Sequence, residues 1–316
     1  MIGPARAVGP AAQSPSKTRA AGLSIASNAI LIGLKVAAGA ITGSIAILTE
    51  AAHSAIDLLA SIVAFLSVRM ADEPADEDHP YGHAKIENLA AAIEGMLILV
   101  GAAVIVYESV RRLVDQAEVE SIGVGIGVIA FSMVANLGVS SYLYRQAKLT
   151  ESPALEGDAA HLRTDAATSG GVLVALVLVE ITGVTWLDPA TALVVAVAIV
   201  FAGIKILSRS SRVLVDEALP EQELDAVRRA IEEHGAPEVA GFHKLRARRA
   251  GSRRYIDLHV QFTERTTLRR AHELTHELQR DIRARLRGAD VLIHLEPAES
   301  ERSDGSAGPA DGTAGG

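Results

Sequence analysis

The spacing His-x-x-x-Asp occurs twice in this chain, each time inside an apolar stretch. His53 and Asp57 lie in LTEAAHSAIDLLASIVAF, and His161 and Asp165 lie in ALEGDAAHLRTDAATSGGVLVALVL. Residues four apart share one helix face, about 6 Å apart along the axis. Ionisable groups at membrane depth cost roughly 2.5–3.5 kcal/mol each on insertion scales, so they are functional candidates by default. Two such faces turned toward each other offer two imidazole nitrogens and two carboxylates, a donor set that suits tetrahedral zinc. The two carboxylates also balance a divalent charge. Metal binding to these groups releases protons, and protons displace metal, which is the physical basis of an antiporter. The plainer alternative is that each His and Asp only hydrogen-bonds a neighbouring helix. That accounts for one pair well and for two pairs of the same chemistry poorly.

Two further groups have metal-ligand character. In ADEPADEDHPYGHAKIE, Asp76, His79 and His83 have spacing suited to a surface metal site, with Asp78 as a substitute; an acidic solvated loop is the competing reading. Near the C-terminus, His259 falls on the polar face of an alternating strand, as do His294 and Glu296 on another, and His243 lies on a third. These could collect into one or two sites, whereas His234 reads as a solvated surface residue. His272-Glu273-Leu274-Thr275-His276 matches H-E-x-x-H. Its helix is strongly charged and its surroundings are too small for a protease cleft, so a metalloprotease is the weakest reading.

The elements that must position these residues follow from composition. Of 316 residues, 49% are hydrophobic, and the apolar residues come in long blocks, which argues for a polytopic membrane protein. The net charge of -8 gives no case for nucleic-acid binding, and the absence of cysteine excludes disulfides and thiolate metal sites. Six stretches are long enough to span a bilayer at about 20 residues each: Leu23–Leu48, Ala51–Val68, Ile86–Val110, Ile122–Tyr144, Ala154–Thr182 and Trp186–Leu207. Lys17, Arg19, Lys85, Arg145, Lys148, Lys205, Arg209 and Arg212 would cluster on one side, which puts both termini in the cytoplasm. Arg111 and Arg112 fall on the other side. Lys35 and Glu94 are charges well inside the first and third spans, and the sequence does not say whether they pair or snorkel. Gly39-x-x-x-Gly43 and Gly123-x-x-x-Gly127 would allow close helix approach.

After Asp216 the pattern changes to helix, two strands around Ala250-Gly251-Ser252, helix and strand, with Gly235 ending the first helix. The expected fold is therefore an α-helical membrane protein of six transmembrane helices with a small α+β (αββαβ) domain. The expected boundaries are a disordered tail over 1–21, a transmembrane domain over 22–210, a metal-binding domain over 211–298 and a disordered tail over 299–316.

From Leu23 to Pro297 these motifs together resemble the cation diffusion facilitator family of divalent metal–proton antiporters. HSAID and HLRTD are similar to the family's transport-site motifs and imply that His53, Asp57, His161 and Asp165 bind the transported ion. DEDHPYGHAKIE resembles the loop of the bacterial zinc/cadmium/iron efflux branch, implying a second site at Asp76, His79 and His83. GFHKLR, YIDLHVQF, RRAH and VLIHLEP resemble that branch's cytoplasmic domain. They imply a binuclear site at a homodimer interface from His243, His259, His272, His294 and Glu296, the last standing where the branch commonly has Asp. Lys85 and Asp216 resemble a charge pair that ties two protomers together. His53 departs from the efflux branch, which often carries Asp there, and matches the zinc-selective branch. The resemblance thus implies a secondary transporter, not an enzyme, exporting Zn²⁺ from the cytoplasm across the inner or plasma membrane in exchange for protons. Cadmium, iron or cobalt are the other candidate substrates, and a membrane-bound metal sensor without transport is the alternative function.

Overall fold

The computed structural model describes residues 15–42, 45–115, 123–234 and 236–298. The chain divides into two compact units, one built from 1–215 with 250–252 and the other from 216–249 with 253–316.

Among the described residues the first unit holds six helices: α1 (Pro15–Thr42), α2 (Ile45–Ala71), α3 (Lys85–Asp115), α4 (Gly123–Thr150), α5 (Pro153–Thr182) and α6 (Leu187–Leu214). At 1.5 Å per residue even α2, with 27 residues, reaches about 40 Å, more than the roughly 30 Å hydrocarbon core. Among the described residues, α1, α3, α4, α5 and α6 each contain a span long and apolar enough to cross a membrane. Polarity in the unit is inverted relative to a water-soluble protein. Ile30, Leu59, Val100, Val134, Val194 and Phe201 face outward, while Ser24, Asn28, Asp57, Glu94, Asp158 and His161 are buried. Lipid accepts the first set, and only the bundle interior can satisfy the second.

Local chemistry sets the helix ends. Ser152 caps α5 by accepting the Leu155 N–H at 3.4 Å, and Pro153 follows it in the first turn. Gly183 closes α5 in the left-handed region at φ 70° and donates to the Val179 carbonyl at 2.8 Å. The most extensive packing is α3 on α6, followed by α4 on α5 and α1 on α2. At Gly95 the α6 backbone comes so near that a Cβ would lie 2.9 Å from the Leu207 nitrogen, so only glycine permits this approach. A seam of Ala20, Ala21, Ala90, Ala147, Ala154 and Ala159 lines another part of the interior.

Several expectations are corrected. The first helix ends at Thr42 and the second begins at Ile45, rather than parting between Leu48 and Ala51. The segment expected as tail up to residue 21 is helical from Pro15. The reason is polar anchoring: Lys17 Nζ donates to Glu87 Oε1 at 2.9 Å and to Asp72 Oδ1 at 3.4 Å, and Ala20 and Ala21 are buried behind it. The rest of that tail and the tail over 299–316 lie outside the described residues, as do Gly43 and Gly235. Among the described residues Gly127 has no neighbour within 4 Å of a Cβ position, so no close helix approach is seen there. Lys35 is buried and donates to Ser54 Oγ at 2.7 Å.

The second unit contains α7 (Glu221–His234), β1 (Val239–Ala250), β2 (Arg253–Phe262), α8 (Leu268–Arg285) and β3 (Ala289–Pro297). The αββαβ order is as expected. The sheet order is β1-β2-β3, with β2 parallel to β3 and His259 in register with His294. Ile256, Leu258 and Val260 of β2 meet Val291 and Ile293 of β3, Leu274, Leu278 and Ile282 of α8, and Val227 and Ile231 of α7 in one core. Strand alternation then leaves His259 and His294 on the other face. His234 is not a solvated surface residue: its Nδ1 is 3.0 Å from Asp281 Oδ2 and its Nε2 is 3.5 Å from Glu277 Oε2, both on α8.

Candidate metal centres

In the helical unit, α2 and α5 bring Asp57, His161 and Asp165 together, with one ligand atom from each within 4.8 Å of the others. His161 Nε2 lies 3.2 Å from Asp57 Oδ1 and 4.0 Å from Asp165 Oδ2. Asp57 and His161 are only 7% and 6% exposed. Two carboxylates and an imidazole thus converge where lipid and protein exclude most water, which is costly unless a cation or protons compensate. His53 stands one turn before Asp57 on α2; its side chain lies outside the described residues. The Thr164 hydroxyl donates to the His161 carbonyl at 2.7 Å.

Sequence reasoning missed the polar groups behind this cluster. Asp158, one turn before His161 on α5, accepts from Ser61 Oγ at 3.0 Å, and Asn28 Nδ2 donates to Ser61 Oγ at 2.8 Å. Ser24 Oγ also lies 3.0 Å from Ser61 Oγ. The spacing of Asp158 to His161 was the available signal, since three residues bring two side chains to one helix face.

The second cluster occupies the loop between α2 and α3. Asp76 Oδ1 is 3.2 Å from His79 Nδ1, Asp76 Oδ2 is 3.3 Å from His83 Nε2, and the two imidazoles approach to 3.1 Å between His83 Nε2 and His79 Nδ1. The loop shapes this triangle: the His79 N–H donates to Asp76 Oδ1 at 2.6 Å, and Gly82, at φ 81°, donates to the His79 carbonyl at 2.8 Å. That backbone bond from His79 holds the Asp76 carboxyl below its ordinary value, with the imidazoles of His79 and His83 adding to the effect. Asp76 and His79 are exposed and His83 is buried, so the site faces water on one side. Asp78 is not part of this cluster.

In the second unit, Glu296 bridges two strand histidines. His243 Nε2 is 2.7 Å from Glu296 Oε2, and His259 Nδ1 is 2.5 Å from Glu296 Oε1. These three offer ligand atoms within 4.8 Å of one another. The donor set, two imidazoles and a carboxylate, fits a zinc ion short of one ligand. His294 stands beside them, its Nε2 3.7 Å from Glu296 Oε1, and its side chain is largely exposed. His272 is apart from this group within the chain; its Nε2 lies 3.1 Å from that of His276 on the exposed side of α8. Asp216 is held by Arg248, whose Nη1 donates to both of its carboxylate oxygens at 2.9 Å. Lys85 Nζ donates to the Leu214 carbonyl at 3.2 Å.

The model of the cation efflux transmembrane domain matches residues 22–215, and that of the cation efflux protein cytoplasmic domain matches residues 219–298. The chain belongs to the cation efflux family. Cation efflux proteins are transporters, so the H-E-x-x-H run of α8 marks no protease. Membership also makes the chain an integral membrane protein of the divalent-metal efflux class, with a dimerising cytoplasmic domain. An uncharacterised transporter of Synechocystis sp. is 37% identical over 281 residues, covering 89% of this chain and 90% of that protein. The cation-efflux pump FieF of Pectobacterium atrosepticum is 32% identical over 271 residues, covering 86% and 89%. Among solved structures, the metal-bound C-terminal domain of the CzcD transporter from Thermotoga maritima is 28% identical, covering 24% of this chain and 87% of that chain, with a TM-score of 0.23.

Proposed function

We propose that this cation efflux protein exports Zn²⁺ from the cytoplasm in exchange for protons, by alternating access in a homodimer. The observation that carries the reading is the buried convergence of Asp57 with His161 and Asp165 across α2 and α5. With His53 added from the same face of α2, the site has two nitrogen and two carboxylate donors, the set that tetrahedral zinc takes readily. The same four groups accept protons, so each occupant displaces the other. Zinc enters from the cytoplasm, α2 and α5 move with the bundle, and external protons release it on the far side.

The remaining sites take supporting roles. Asp76, His79 and His83 form a water-facing metal site at the membrane surface. His243, His259 and Glu296 bind one zinc, and His272 and His294 complete a binuclear site across the dimer interface. Zinc there tightens the dimer and biases the transport cycle. Lys85 and Asp216 tie the two protomers, residues 22–210 carry transport, residues 211–298 carry regulation, and both termini are cytoplasmic. Cadmium, iron and cobalt are secondary substrates.

The test is reconstitution in proteoliposomes with a pH-sensitive dye inside and a panel of competing metals. Zinc uptake with opposite proton movement is expected, abolished by Asp57→Ala and Asp165→Ala. Zinc transport that survives both substitutions overturns the reading, and zinc binding without any coupled proton movement points to a sensor.

A further inference from the structure

Glu94 lies on α3, fully buried at 0% exposure, and neither of its carboxyl oxygens has a protein hydrogen-bond partner among the described residues. Its carboxyl group rests on the α5 backbone at Gly157. A Cβ there would collide with Glu94 Oε2 and stand 3.1 Å from its Cδ, so the seat exists because residue 157 has no side chain. The helices packed against α3 are α6, α5 and α2. From α5 the titratable group acting on Glu94 is Asp158, itself fully buried. From α6 the near residue is Leu207, set against Gly95. From α2, Ser61 reaches the neighbourhood by donating to Asp158, while Asp57 turns to His161.

A buried carboxylate with no hydrogen-bond donor is costly in a dry setting, whereas the neutral acid is not. The pair is unequal. Asp158 Oδ1 has the Ser61 hydroxyl, backed by Asn28 and Ser24, and only its Oδ2 is unpartnered, whereas among the described residues neither Glu94 oxygen has a donor. Glu94 is therefore the carboxyl of the two suited to hold a proton. Asp158 in turn stands about one helical turn from His161 on α5. Buried acid chains of this kind serve as proton relays in membrane transporters.

We infer that Glu94, in its seat against Gly157, is a proton-carrying site separate from the metal-binding residues, loaded and emptied once per transport cycle. The inference rests on the proton-exchange reading above. As α3 and α5 shift between their two arrangements, the carboxyl leaves its dry seat, gives its proton to water on one side and regains one from the other. No bond other than O–H forms or breaks.

Two measurements on the full-length reconstituted protein decide it. Infrared difference spectra should show the carbonyl band of a neutral carboxylic acid, sensitive to H₂O/D₂O exchange and missing in Glu94→Gln. The proton-to-zinc ratio, read from the pH gradient that just balances a zinc gradient, should fall by one per zinc in Glu94→Gln. Gly157→Ala gives a second spectral check: displacing the carboxyl shifts the band if Glu94 is its source. A parent protein without the band, a band unchanged by these substitutions, or an unaltered ratio in Glu94→Gln overturns the inference. A parent that moves zinc with no proton movement instead refutes the exchange reading, and is distinguishable because no variant is needed to see it.

Discussion

His161 Nε2 lies 3.2 Å from Asp57 Oδ1, a buried contact that joins α5 to α2. The contact links residues 104 apart in sequence and makes one buried cluster out of two local spacings.

The first prediction concerns that contact. Asp57→Asn keeps the shape of the side chain and removes a charged ligand. Its effect on zinc affinity should exceed the roughly 10–100-fold cost typical of losing only an outer-shell partner. Equilibrium zinc binding and initial transport rates in vesicles check this. His161→Gln should behave alike, because it removes the nitrogen ligand that lies between both carboxylates.

His53 should govern selectivity. Replacing it with Asp exchanges an imidazole for a third carboxylate in the transport site and should raise cadmium transport relative to zinc. Competition between the two metals in the same vesicles reads the ratio directly, and an unchanged ratio removes His53 from the selectivity determinants.

Glu296 should separate regulation from transport. Because it bridges His243 and His259, Glu296→Ala takes the shared ligand from both. Calorimetric titration of the full-length protein should show fewer zinc ions bound per chain, and the dimer should dissociate at lower dilution. Transport should persist at a reduced rate, since the membrane cluster is untouched.

Glu223 gives a pH-dependent stability. Partial burial pushes its carboxyl up, but the Arg254 hydrogen bond and the charges of Arg249 and Arg254 outweigh that and hold it below its ordinary value of 4.5. The folded state thus binds its proton less readily than the unfolded chain. The stabilisation is full above the ordinary value and is lost as pH falls through the depressed folded one. Glu223→Gln should remove about 1 kcal/mol at neutral pH, the upper end for a solvent-screened ion pair. Hydrogen exchange of β2 amides across an acid titration checks both the size and the disappearance of the effect at low pH.

Much of the candidate chemistry was legible because it is local. His161 and Asp165 are fixed by helix period, and Asp76, His79 and His83 lie within eight positions of chain, so spacing alone brings each set to one place. The strand period likewise put His259, His294 and Glu296 on the face away from the core. What stayed hidden depended on partners. Asp158, Ser61 and Asn28 are single polar residues in three different helices, and nothing in a helix period says which will meet. Glu94 was visible as a charge in an apolar span, but its seat depends on the small size of residue 157, sixty-three positions later. The boundary between the first two helices was misplaced because Ile45–Leu48 is apolar and continues the hydrophobic run on either side.

The alanine seam inside the helical unit bears on how such a protein moves. Ala20, Ala21, Ala90, Ala147, Ala154 and Ala159 have no rotamers to rearrange and present shallow ridges to their neighbours. They share that cluster with Val68, Leu143, Leu155 and Leu162, so the helix backbones approach closely at the alanines while the larger side chains interlock between them. Bulk introduced at so close an approach, as in Ala154→Leu, should wedge these helices apart and slow initial zinc flux in vesicles.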